Sequence, residues 1–172
     1  SSAFSVTSGA YASGESVSSV TLAAANSYDS STTQAVGSYT DEISISSAVG
    51  AGGFTTGNYD IVYDAGNLTI DRRAIEFTAT NQSKTYGDSL NLGTSAFTKT
   101  NGTYANSESA TAVVLTSANS YDSGTSQSAA TYTDEISISS ATGSGGFQEA
   151  NYDVTYVPGD LTINQRAITL VA

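Results

Sequence analysis

Apolar residues alternate with small polar ones along much of this chain. Ile43 and Ile45 point one way while Ser44 and Ser46 point the other, and Ile136 and Ile138 repeat the arrangement. A period of two marks a strand with one buried face. Tyr59, Ile61 and Tyr63 share a face in the same manner. Asp64-Ala-Gly-Asn67 then reads as a turn, and Leu68 and Ile70 as the returning strand of a hairpin. In the corresponding later stretch the turn is Val157-Pro-Gly-Asp160, with Pro and Gly at the positions a tight turn favours. Further strands are expected at Val17–Ala23 and Ala110–Thr116, around Phe4 and Phe97, and at Ala74–Ala79. No stretch has helical periodicity.

The pattern recurs because the sequence recurs. A shift of 93 residues aligns Ser2–Ala79 with Ser95–Ala172 without a gap, and about 45 of the 78 aligned positions are identical. Ala25–Ser30 returns as Ala118–Ser123, and Tyr39–Ala48 returns unchanged as Tyr132–Ala141. Thr80–Thr94 occurs once, between the copies, so the first copy lacks its opening segment. Arg166–Ala172 repeats Arg73–Ala79 as the start of a further module. The expected organisation is module 1 at 1–72, module 2 at 73–165, and the opening strand of a following module at 166–172. With no initiator Met at Ser1, this phase suggests a piece of a longer array. About four residues separate Ile70 from Ile75, none of them Gly or Pro, which predicts a short, stiff junction. The expected fold class is mostly β, with sandwich-like modules stacked as a rod; α+β modules of β-grasp type are the alternative.

Composition narrows the chemistry. The chain of 172 residues contains no Cys, His, Met or Trp, which removes thiolate and imidazole catalysis, disulfides and most zinc or copper sites. Five Lys and Arg against 16 Asp and Glu give a net charge of −11, which disfavours nucleic acid and anionic membranes as partners. No apolar run reaches the length of a membrane helix. Eleven Tyr, five Phe and regularly spaced aliphatics argue against a disordered chain.

Carboxylates carry the remaining candidate chemistry. Asp41-Glu42 and Asp134-Glu135 are adjacent pairs, but strand neighbours point to opposite faces and cannot jointly flank one scissile bond. An enzyme is therefore not expected. Asp29, Asp41, Glu42 and Asp60 recur as Asp122, Asp134, Glu135 and Asp153, a set of hard oxygen ligands that makes calcium the candidate cofactor. The competing reading assigns these acids to turns, edge protection and solubility. Gly50–Phe54 and Gly143–Phe147 lack the Lys and helix of a phosphate loop and read as flexible connections. Lys84 raises an intramolecular isopeptide crosslink, although its place beside a turn favours an exposed lysine. Tyr28 and Tyr121, in polar Asn-Ser-Tyr-Asp-Ser segments, are candidates for exposed surface contacts. Tyr59, Tyr63, Tyr152 and Tyr156 belong with the core.

Arg73-Ala-Ile-Glu-Phe-Thr-Ala-Thr-Asn-Gln-Ser-Lys-Thr-Tyr-Gly-Asp88, closing with Asn151-Tyr-Asp153 and Gly159-Asp-Leu-Thr-Ile163, resembles one MBG repeat of the YGX type. Such repeats occur in tandem arrays of very large bacterial surface or secreted proteins, many of them adhesins. The resemblance implies an extracellular setting and no catalytic residues. It leads to an expected stalk that projects an adhesive tip and supports cell or matrix attachment. Its partners would be neighbouring repeats of the same or identical chains. Two alternatives remain: a strand-complemented fibre built through Arg166–Ala172, and a module that itself binds host or matrix glycans.

Overall fold

The structure is a computed structural model that describes residues 3–30, 34–124 and 127–172. It is mostly β, and the described helical residues are two short 3-10 turns at Thr56–Asn58 and Glu149–Asn151. The chain divides into two units, Ser1–Ile70 and Asp71–Ala172. The division falls two residues before the expected module boundary, and it groups Arg166–Ala172 with the second unit.

Unit 1 holds one antiparallel sheet. Strand β1 (Ser16–Ala24) pairs with β2 (Gly37–Ala51), and β2 pairs with β3 (Gly66–Ile70). The long β2 is broken in register between Tyr39 and Ile43, where Asp41 takes φ 54°. Asp tolerates this left-handed conformation better than most residues, and the bulge keeps Ile43 and Ile45 on the inner face beyond it.

Unit 2 holds two sheets. In one, β7 (Ser109–Ser117), β8 (Thr131–Ser144) and β10 (Gly159–Asn164) repeat the sheet of unit 1, and β5 (Gln82–Thr85) extends it by pairing parallel with β10. In the other, β4 (Arg73–Ala79) lies between β6 (Phe97–Gly102), antiparallel, and β9 (Tyr152–Val157), parallel. The inner faces of both sheets feed one core. Ile75 and Phe77 of β4 meet Ile136 and Ile138 of β8, with Leu161 and Ile163 of β10, all below a tenth exposed. Burial of Ile75 and Phe77 contributes about 1.5–3 kcal/mol for each side chain.

The two units form a natural comparison. Val20, Ile43, Ile45, Phe54, Tyr59, Leu68 and Ile70 are the counterparts of buried or core residues of unit 2, yet each is only half-buried. Among the described residues of unit 1, only Glu42 and Ala48 are buried. The reason is β4. Unit 1 contains no counterpart of Arg73–Thr94, so Phe4–Gly9 and Tyr59–Asp64, which correspond to β6 and β9, have no strand between them. Neither segment is a strand.

Several expectations change accordingly. The strand expected around Phe97 is present, and its counterpart at Phe4 is not. The hairpin expected through Val157–Asp160 is instead a crossing between sheets, since β9 pairs with β4 while β10 pairs with β5 and β8. Period-two alternation does not select a strand's partners, and Tyr59–Tyr63, which alternates without a partner, forms no strand. The glycine-rich segments run from the ends of β2 and β8 into turns. A Cβ on Gly143 would lie 2.0 Å from the Ser109 carbonyl oxygen and 2.9 Å from Phe147, so this glycine permits a close strand approach over a packed ring.

Phe77→Ala is expected to destabilise unit 2 by about 3–5 kcal/mol. Leu170→Ala, at the equivalent repeat position, leaves melting of the monomeric chain unchanged. Denaturant unfolding of the two variants checks the contrast.

Candidate functional site

The repeated polar residues assemble into clamps. In unit 2 the Glu135 side chain, 1% exposed, lies under the loop that joins β7 to β8. Its Oε1 accepts from the Asn119 backbone N–H at 3.0 Å and from the Ser117 hydroxyl, and its Oε2 accepts from Asn119 Nδ2 at 2.7 Å. Burial by itself would push the carboxyl up. The donors Ser117, Asn119 and the Tyr121 N–H outweigh it and hold Glu135 below its ordinary value of 4.5. Glu42 repeats the clamp, taking the Asn26 N–H at 2.9 Å and Asn26 Nδ2 at 2.7 Å. Ala24 stands where unit 2 has Ser117, so unit 1 lacks the hydroxyl donor.

Tyrosine hydroxyls form the second set. Tyr152 Oη accepts from the Ala105 N–H at 2.9 Å and donates to Glu108 Oε2 at 2.6 Å. Tyr156 Oη accepts from the Ala141 N–H at 2.7 Å and donates to Glu149 Oε1 at 3.0 Å. Burial, then the hydrogen bond to Glu149, pushes Tyr156 up to about 12 against the opposing Ala141 N–H. Tyr152 is raised first by burial and then by Glu108. Both phenols stay protonated and act as fixed donors. Unit 1 keeps the same anchors: Tyr59 accepts from the Ala12 N–H at 2.9 Å and donates to Glu15, and Tyr63 accepts from the Ala48 N–H at 3.0 Å.

The candidate calcium ligands are not brought together. Glu42 and Glu135 are committed to Asn26 and Asn119, while Asp29, Asp41, Asp60, Asp134 and Asp153 are exposed at separate places and Asp122 is half-buried. Among the described residues no group of three or more acidic side chains is placed to hold a metal ion. At Asp41 and Asp134 the bulged backbone N–H is taken by Asn67 Oδ1 and Asp160 Oδ1, both at 3.1 Å. Asp41 and Asp134 hold these bulged positions at φ 54° and 56°.

Two further expectations are corrected. Tyr28 and Tyr121 are less exposed than expected: each is half-buried and packs edge-on against a neighbouring ring, Tyr28 on Tyr39 at 5.0 Å and Tyr121 on Tyr132 at 4.9 Å. Lys84 is buried at 6% exposure, and its Nζ donates to the Ser123 carbonyl oxygen at 2.5 Å. A carbonyl partner does not supply the carboxylate or carboxamide that an isopeptide requires. Glu15 and Glu108 escaped the sequence reading, although their 93-residue spacing matches that of Tyr59 and Tyr152.

The chain matches no family model, no curated protein and no solved structure.

Two outcomes follow from the clamps. A carboxyl held low in the folded state adds stability above its unfolded value, and that stability disappears as pH falls through the folded value. Unit 2 should therefore weaken below about pH 4.5. Glu135→Gln should cost about 1–3 kcal/mol at neutral pH and flatten this acid limb, as read by melting across pH. Melting curves in EDTA and in millimolar calcium should superimpose.

Proposed function

We propose that this chain is a non-catalytic, load-bearing stretch of tandem repeats, a stalk segment of a large bacterial surface or secreted adhesin that carries a binding tip. The observation behind this reading is the strand order of unit 2. The strands that open the module pair parallel with those that close it: β4 with β9 and β5 with β10. In a parallel pair the chain enters at one end and leaves at the other. Tension between Arg73 and Asn164 therefore loads the rungs of each pair together in shear, instead of opening them one by one. Resistance to pulling is a barrier property, and shear raises the barrier.

The clamps support the same reading. Buried Glu135 and the Tyr152 and Tyr156 hydroxyls are spent on backbone and loop closure, and all recur at the repeat spacing. Their resemblance to MBG repeats and the acidic, Cys-free composition agree with an extracellular spacer. In this reading adhesion resides outside these repeats, and no cofactor is required.

Single-molecule pulling through Arg73 and Asn164 should give a clear unfolding peak, well above that obtained when the same module is pulled through the β7–β8 hairpin. Equal forces in both geometries would contradict the load-bearing role. The folded chain should also show no saturable binding to cells or to a broad glycan panel, with or without calcium. Saturable binding would make the repeat a receptor module.

A further inference from the structure

Gly102 ends β6 because β4 lies against it. Its φ is 75°, and a Cβ there would lie 2.3 Å from the Ala74 carbonyl oxygen and 2.9 Å from the Ile75 Cα, so β4 leaves room only for glycine. The residue before it is Asn101. Of the ten asparagines in the chain, Asn101 is the one followed by glycine. Its side chain folds back along its own strand, where Oδ1 accepts from the Gly102 backbone N–H at 2.7 Å. The carboxamide is thereby held against the nitrogen of the next peptide.

From this arrangement an asparagine can cyclise. Once the Gly102 N–H gives its proton to hydroxide, the nitrogen attacks Asn101 Cγ. A bond forms between them, the bond from Cγ to Nδ2 breaks, and Nδ2 takes a proton from water and leaves as ammonia. The cyclic imide that remains is opened by water at either carbonyl. Opening at Cγ gives aspartate. Opening at the main-chain carbonyl gives isoaspartate, in which the main chain runs through Cβ and Cγ. One water is consumed, one ammonia is released and one carboxylate is gained.

The surroundings admit these reactants. Asn101 is exposed, and a cleft of about 100 Å³ lined by Ala74, Ile75, Glu76, Asn101, Gly102 and Thr155 opens beside it, with room for water. Other asparagines are turned elsewhere. Asn26 and Asn119 donate to Glu42 and Glu135, while Asn67 and Asn81 accept from the N–H groups of Asp41 and Asp160. Asn91 accepts from Gly93, one residue too far along for this ring. At the position of Asn101, unit 1 carries Ser8 ahead of Gly9, and a hydroxyl offers no carbonyl carbon to attack.

We infer that Asn101 and Gly102 form a self-modifying site, which converts without an enzyme to aspartate and isoaspartate and so loosens β6 from β4. Asn101 lies opposite Glu76, and Gly102 opposite Ile75. Either product sets a second negative charge across from Glu76. Isoaspartate also adds a methylene to the main chain of β6, which displaces Gly102 from its place beside Ile75, a core residue 3% exposed. The site is independent of the stalk reading, which stands whatever happens at Asn101.

The folded chain is incubated at mildly alkaline pH beside a sample kept unfolded in urea. Peptide mass mapping locates each conversion, and methylation by an isoaspartate methyltransferase reports isoaspartate. In the folded chain Asn101 should convert ahead of every other asparagine, and at least as fast as it does in urea, where local sequence alone sets the rate. Asn101→Gln, whose longer side chain closes a larger ring, should lose the conversion. Converted chain, separated by anion exchange, should melt below the unconverted chain. Three results would overturn the inference: another asparagine converting first, Asn101 surviving in the folded chain while it converts in urea, or converted and unconverted chains melting together.

Discussion

The structure depends on where one strand sits. β4 is a central strand, hydrogen-bonded on both sides, and its inward side chains Ile75 and Phe77 reach the facing sheet. A central strand does more than add its own area: it lets its two neighbours exist as strands. Unit 2 has β4, and with it two sheets over a closed core. Unit 1 shares most of the remaining sequence and keeps one sheet, with its aliphatic residues half-buried. Nearly identical residues thus reach different degrees of burial because of a single non-local partner.

The polar residues act at a different level. Glu135, Asn119 and Ser117 settle the loop between β7 and β8, and the Tyr152 and Tyr156 hydroxyls pin β9 to neighbouring backbone. Apart from the Ser117 hydroxyl, which Ala24 replaces, these contacts survive in unit 1 even where the strands do not. The Glu clamps close a single loop, and the tyrosine clamps each join two segments, whereas the β6-β4-β9 sheet needs three segments at once. Of the recurring acids, Glu42 and Glu135 are committed to these clamps.

Much of this was legible in the sequence, and the failures have physical reasons. The repeat, its phase, the strands β1, β4, β7 and β8 and the inward Ile136 and Ile138 follow from periodicity and self-alignment. The pairing of β9 with β4 was hidden, because a turn-like Val157–Asp160 serves equally for a hairpin or for a crossing between sheets. Glu42 and Glu135 looked like cation ligands because composition reveals oxygen donors but not the N–H groups that already occupy them. Tyr28 and Tyr121 looked exposed because their flanks are polar, while the rings of Tyr39 and Tyr132 that cover them lie 11 residues further on. Lys84 illustrates the same limit: turn residues beside it say nothing about the loop that folds over it.

The central claim is that β4 and the segment after it make the difference between the two units. The direct measurement is amide hydrogen exchange on a chain in which a copy of Arg73–Thr94 is placed ahead of Ser2. The account predicts that Phe4–Gly9 and Tyr59–Asp64 become as protected as Phe97–Gly102 and Tyr152–Val157. If those amides still exchange freely in the extended chain, the difference between the units does not lie in that strand, and the account is wrong.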